Sequence, residues 1–190
     1  MALQHSSYKI RGVAPLLLQN GHLADPLNYY SRELKKISGK KPKTDADYEA
    51  MAKIEWYGSL YTENDKIVIP TSMIEAGIVT AAKKKKEGKI VLAGVFCEEN
   101  AVLEFPHKHL SINELWLKEE YRFTCGVVIM GRRVMRTRPI FNNWWSEFKI
   151  VWDDQIVKNE EAIKGYITIL GEQVGIGNWR PKYGRFEIVE

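Results

Sequence analysis

From Trp145 to Trp152 the chain alternates strictly, setting Ser146, Phe148, Ile150 and Trp152 against Trp145, Glu147, Lys149 and Val151. Period-2 alternation marks a strand with one face toward a core, and the first set is expected to face inward. The next periodic segment changes period. Ile163, Tyr166, Ile167 and Leu170 stand at i, i+3, i+4 and i+7, a single stripe along a helix. A one-sided strand beside a one-sided helix constrains the architecture, because each must bury its apolar side against another layer.

Read the same way, the full order is strand, two helices, strand, helix, several strands, helix, strand. Helices separated by groups of strands favour an α+β fold over a parallel α/β sandwich. Strand–helix–strand units at both ends are compatible with a ferredoxin-like or RRM-like core. The expectation is an antiparallel sheet elaborated by helical insertions and closed by a C-terminal Gly-rich loop. No repeat of fixed period is visible, so residues 1–190 read as one elaborated domain.

Local signals set the expected boundaries. Tyr8 to Val13 alternates as a strand, and Leu27, Tyr30, Leu34 and Ile37 suit a helix. The basic, breaker-rich stretch Gly39-Lys40-Lys41-Pro42-Lys43 predicts a protruding loop at 38–44. Thr44 can cap the following helix, with Asp45 and Asp47 in its first turn and Gly58 as its stop. Lys66 to Ile69 is a short strand ended by Pro70, and Ser72 with Glu75 has capping-box spacing. Ile74, Ile78, Ala81 and Ala82 stripe that helix, which Gly88 should end. Lys89–Glu98 and Ala101–Phe105 are expected to form a hairpin around Glu99-Asn100. Tyr121 to Arg138 reads as one long strand with bulges at Gly126 and Gly131, and Arg185 to Val189 as the last strand.

Composition narrows the function class. With 190 residues, 45% of them hydrophobic, the chain is neither disordered nor collagen-like. Its longest apolar runs, Ala14–Leu18 and Val127–Met130, are far shorter than the roughly 20 residues of a membrane span. Met1 to Tyr8 lacks the apolar region of a signal peptide, so a soluble cytoplasmic protein is expected. Cys97 and Cys125 form no CxxC, and each reads as a small hydrophobe in a strand; no metal or cofactor is expected. The net charge of +4 is modest, so its distribution matters more than its size.

The densest charge is Gly131-Arg132-Arg133-Val134-Met135-Arg136-Thr137-Arg138. In an extended strand Arg132, Arg136 and Arg138 share one face, with Arg133 on the other. Guanidinium groups fork onto phosphate oxygens, so this strand suits a nucleic-acid backbone; salt bridges to neighbouring glutamates are the alternative. The second signal runs from Gly171 to Phe186. Its glycines permit close approach, Trp179 and Tyr183 could stack on bases, and Arg180, Lys182 and Arg185 could meet phosphates. It matches neither a phosphate-binding P-loop nor a dinucleotide fingerprint, and a tight connection around a buried Trp is the alternative. Lys83 and Lys84 open a run of four lysines at a helix end, where cations also suit the helix dipole. Trp144 and Trp145, as strand neighbours, should split between core and surface.

Catalytic signals are sparse. His107 and His109 would share a face, and His22 sits in a Gln-Asn-Gly-His turn. The carboxylate pairs Asp153-Asp154 and Glu160-Glu161 flank a helix start, where they are stabilising in any case. No catalytic residue is assigned.

Three segments occur in order: Ile10-Arg11-Gly12-Val13-Ala14-Pro15-Leu16-Leu17, the helix entry Ile69-Pro70-Thr71-Ser72, and a helix, Gly-rich loop and Gly184-Arg185-Phe186 finish. In these the chain resembles the RAMP superfamily, the RRM-derived RNA-binding subunits of CRISPR effector complexes, and small phage proteins of the same build. The resemblance implies a modified RRM core, guide-RNA binding by a basic surface and head-to-tail assembly into a filament. Gly171 to Gly184 would correspond to that family's Gly-rich loop.

The expected function is non-enzymatic binding of single-stranded RNA or DNA through its backbone, with self-assembly along the strand as a homo-oligomer or filament. The alternatives are a phage interaction factor acting on a host protein complex, and a metal-independent ribonuclease using His22. The expected setting is the cytoplasm of a bacterial host, with no membrane partner.

Overall fold

A computed structural model describes residues 2–189. In chain order its elements are β1 (Leu3–Gly12), β2 (Leu16–Leu17), α1 (Tyr29–Ser38), α2 (Asp45–Gly58), β3 (Thr62–Glu63), β4 (Lys66–Ile69), α3 (Thr71–Lys83), α4 (Gly88–Gly94), β5 (Val95–Cys97) and β6 (Ala101–Glu104). They continue with α5 (Ile112–Leu117), β7 (Arg122–Ile129), β8 (Arg132–Phe141), β9 (Trp145–Asp153), α6 (Glu160–Ile169), a π turn at Leu170–Val174, and β10 (Phe186–Val189). Every strand pair described is antiparallel, so the fold is α+β with antiparallel sheet.

The chain gathers into two units. The first comprises Met1–Leu16, Tyr61–Pro106 and Asn142–Glu190; the second comprises Leu17–Leu60 and His107–Phe141.

β9 is the spine of the first unit. β1 pairs along one side of it from Leu3 opposite Asp153 to Arg11 opposite Trp145. On its other side β5 meets Ile150–Trp152 and β6 meets Trp145–Ser146, end to end. Ser146, Phe148, Ile150 and Trp152 are buried as the alternation predicts, Val151 of the opposite set is buried as well, and so are Ile163, Tyr166 and Ile167 of α6. Trp144 is 1% exposed while Trp145 is 43% exposed, so the two neighbours divide between core and surface. The Trp144 indole donates to the Ala14 carbonyl at 2.9 Å and lies where a Gly12 side chain would be, 2.1 Å from the position of a Cβ. Gly12 is required by that ring.

In the second unit α2 packs on β8, the middle strand of the sheet of order β2-β8-β7, and α1 packs on α2. Thr44 caps α2 as expected, and with Asp47 it forms a capping box, closed by Asp47 accepting from the Thr44 N–H at 3.0 Å. The Lys40 ammonium, 2.7 Å from Asp47, and that backbone bond hold the carboxyl down to about 2. Near the other end of α2, Trp56 is fully buried and its Nε1–H donates to the Tyr121 carbonyl at 2.7 Å.

Several boundaries differ from the sequence reading. α3 starts at Thr71 with Pro70 as its uncapped N-cap; Glu75 instead accepts from the Cys97 N–H at 2.8 Å. Gly88 begins α4 rather than ending a helix, so the strand expected from Lys89 shrinks to Val95–Cys97. β5 and β6 do not form a hairpin with each other: both pair with β9, and Asn100 between them accepts from the Thr71 N–H. The long strand from Tyr121 is a β7–β8 hairpin whose tight turn is Met130-Gly131, both at positive φ. Gly126 makes no bulge and pairs with Met135 in an unbroken register.

Candidate nucleic-acid interface

The hairpin arm divides the arginines. Arg132 opposite Ile129 and Arg133 opposite Val128 stand exposed near the tip. Arg136 is bonded through Nη1 to the Glu55 carboxylate, whose other oxygen accepts the Thr137 N–H at 2.9 Å. Arg138 is only 8% exposed, and burial lowers its pKa. The face that Arg132, Arg136 and Arg138 were expected to share is thus divided, because the root of the hairpin packs against α2. Glu55 itself is buried, and desolvation raises its pKa against the bonds from Thr137 and Arg136. This carboxylate ties α2 to the edge of β8, and it was not a site candidate in the sequence.

Beyond that root no residue from Thr124 to Met135 is buried. Val128 is 70% exposed, Met130 is 99% exposed and Met135 is 58% exposed. No acidic residue occurs between Glu120 and Glu147, so the tip is apolar and cationic.

The Gly-rich loop in the first unit is knitted to its surroundings. Gly175, Gly177 and Gly184 have positive φ, and a Cβ on Gly184 would lie 1.8 Å from the Ile176 carbonyl oxygen. The Gly184 N–H donates to Pro15, and the Ile176 N–H donates to the Gly184 carbonyl. This framework holds Trp179 in a left-handed conformation at φ 54°, with the residue 38% exposed. Arg180, Lys182 and Arg185 in the same segment are exposed. Tyr183 does not share that role: its ring is buried 6.2 Å from the Trp179 ring and 5.5 Å from Lys182 Nζ. It supports the loop from within.

The lysine run and this loop converge. A cleft of about 520 Å³ is lined by Thr80 of α3 and Lys84 at its C-cap, by Gln173 and Val174, and by Gly177, Asn178, Trp179, Arg180 and Pro181. Lys84 Nζ donates to Gln173 Oε1 at 3.1 Å along its wall. Lys83 lies outside it, its stem packed where a Cβ on Gly88 would sit. The cleft therefore offers two cations, an indole and side-chain amides, which suits a phosphodiester with an adjacent base.

A second cleft, about 820 Å³, lies between α2 and the hairpin root, lined by Glu49 and Lys53 with Trp116, Glu119 and Arg122 among others. Its charges balance, and Trp116 is already engaged by Arg122 at 5.0 Å and by Trp56 at 5.6 Å. Nearby, His107 Nδ1 lies 2.9 Å from the Tyr121 hydroxyl and 3.2 Å from Glu120, a grouping that spacing alone did not reveal. His22 lies within the 3-10 turn Gly21–Ala24, its N–H donating to Asn20 Oδ1 and its carbonyl accepting from Ser31 Oγ. Cys97 is buried and pushed up to about 12 by desolvation, and Cys125 is half-buried and also raised. Among the described residues, no group of three or more His, Cys, Asp or Glu could hold a metal, and no helix is long and apolar enough to cross a membrane.

No protein-family model matches the chain, and neither does any curated protein.

Proposed function

We propose that this protein binds single-stranded RNA or DNA without enzymatic action, chiefly through the phosphate backbone. The observation that carries the reading is the shared cleft, where Lys84 from a helix end meets Trp179 and Arg180 from the Gly-rich loop. Lys182 and Arg185 extend the cationic surface, and Arg132 and Arg133 at the hairpin tip supply a second cationic element. Arg136 and Arg138 act as supports of the arm. The antiparallel α+β fold accords with a ferredoxin-like, RRM-derived protein of RAMP type, or a small phage-borne relative, that assembles along its strand in the cytoplasm of a bacterial cell.

Fluorescence anisotropy with labelled oligouridylate and oligothymidylate tests the reading. Trp179→Ala should weaken binding by about 1–3 kcal/mol, the value of one base stacked on an aromatic ring. Lys84→Ala with Arg180→Ala should weaken it further, and equal affinity for both variants and wild type would refute the site.

A second reading is a phage interaction factor acting on a host protein complex. One observation favours it: the apolar tip of Val128, Ile129 and Met130, of a kind that monomeric proteins rarely leave exposed. Met130→Asp separates the two, abolishing capture of a protein partner while leaving oligonucleotide affinity at the cleft unchanged.

A further inference from the structure

The cleft that Trp179 and Arg180 share with Lys84 carries side-chain amides on its wall, and their orientation is set. A lysine ammonium has hydrogens to give and nothing to accept with. The bond from Lys84 to Gln173 at 3.1 Å therefore uses Gln173 Oε1 and turns Nε2 away from the ammonium. Among the described residues Nε2 has no partner. The backbone beneath it is fixed, because Gln173 stands in the π turn Leu170–Val174, where the Gly175 N–H donates to the Leu170 carbonyl at 2.6 Å. Asn178 offers the same kind of group. Its Oδ1 is buried, so this side chain meets a ligand only through Nδ2.

The side-chain acceptors left on the wall lie in the field of a cation. Gln173 Oε1 already accepts from Lys84. Thr80, whose hydroxyl hydrogen goes to the Ala76 carbonyl at 2.7 Å, stands one turn before Lys84. An amino group on a base carries partial positive charge and is repelled there, whereas a base carbonyl is attracted. Charged and neutral donors also divide the ligand between them. Lys84 and Arg180 make the stronger, charge-assisted bonds to phosphate oxygens, which leaves the neutral Nε2 and Nδ2 hydrogens for the neutral base. At about 520 Å³ the cleft is of single-ligand size, so a base stacked on Trp179 brings its edge to these amides.

Resting on the proposal that the cleft binds nucleic acid, we infer that it selects a keto base (uracil, thymine or guanine) over an amino base (adenine or cytosine), and that Gln173 reads the difference. Gln173 Nε2 donates to O4 of a pyrimidine or O6 of a purine, where the amino bases present N–H groups and set donor against donor. Lys84 gains a second role as a positioning residue, holding the amide in the orientation that reads the base.

Uracil and cytosine share ring size and the carbonyl beside the sugar, and differ at the 4-position and at N3. Fluorescence anisotropy with labelled oligouridylate and oligocytidylate of equal length therefore tests the inference. The wild type should favour oligouridylate by roughly three- to tenfold, the worth of one hydrogen bond against an unmatched donor. Gln173→Glu keeps an acceptor for Lys84 and replaces the donor with a second acceptor. It should weaken both ligands through its charge and reverse the preference between them. Lys84→Met frees the amide to turn and should bring the ratio of affinities toward one with Gln173 intact. Both variants alter exposed side chains, and circular dichroism checks that each is folded. Equal affinities in the wild type, a preference for oligocytidylate, or a preference unchanged in Gln173→Glu would overturn the inference. In each of those cases weaker binding of both ligands by Trp179→Ala leaves the cleft standing as a nucleic-acid site. Binding of neither ligand by the wild type would overturn the inference together with the reading it rests on.

Discussion

Removing the Glu55 carboxylate should release the hairpin arm. Its side chain is 5% exposed and that of Arg136 is 29% exposed, so Glu55→Ala leaves a largely buried cation without its counterion. It also orphans the Thr137 N–H at the edge of β8. Breaking one side of a buried pair costs about 3–5 kcal/mol. Amide exchange across Arg122–Phe141 should therefore accelerate roughly a hundred- to several-thousandfold, while β1 in the other unit serves as an unaffected reference. Arg136→Met tests the same pair from the other side and adds a pH signature. Burial already raises the Glu55 pKa, and losing the guanidinium raises it further. A carboxyl raised on folding binds its proton more tightly in the native state. Its contribution is therefore fully present below the unfolded pKa, and stability is lost as pH rises through the folded one. The variant should resemble wild type most closely in acid and fall furthest behind in mild alkali. Unchanged exchange in Glu55→Ala, or a pH-independent deficit in Arg136→Met, would refute the reasoning.

Other residues carry predictions of the same kind. Gly12→Ala places a methyl group inside the Trp144 ring and should cost about 1–3 kcal/mol, read as a lower melting temperature with altered near-ultraviolet dichroism. Gly184→Ala meets the Ile176 carbonyl at positive φ, a conformation that alone costs about 1–2 kcal/mol. It should weaken oligonucleotide binding by anisotropy although no cation is removed. Asp47, held down to about 2 chiefly by Lys40 and then by the Thr44 N–H, supports the start of α2 at all pH values above the ordinary carboxylate range. That support should disappear as pH falls through about 2, with exchange at the first turn of α2 accelerating before the rest of the helix.

Elements whose own residues determine them were legible. Thr44 and Asp47 cap α2 through a local bond, and the alternation in β9 and the stripe in α6 follow directly from which side chains are apolar. The hairpin turn was hidden because Met130 occupies a left-handed position that usually signals itself with Asn or Asp. α4 was hidden because Lys-Ile-Val-Leu favours a strand as readily as a helix over so short a run. At the site, the Gly-rich loop announced its cations and Trp179. Nothing local revealed that Tyr183 would be buried, that Lys84 would join the loop, or that Glu55 would claim Arg136 from 81 positions away. These are consequences of long-range packing, which a single sequence does not encode in any short window.

The salt dependence of oligonucleotide affinity tests the central claim most directly, because each neutralised phosphate on a single strand contributes about 0.7 to the slope of log K against log salt. With Lys84, Arg180, Lys182 and Arg185 all changed to Ala, the slope should flatten by roughly three units. A slope identical to that of the wild type would contradict the account.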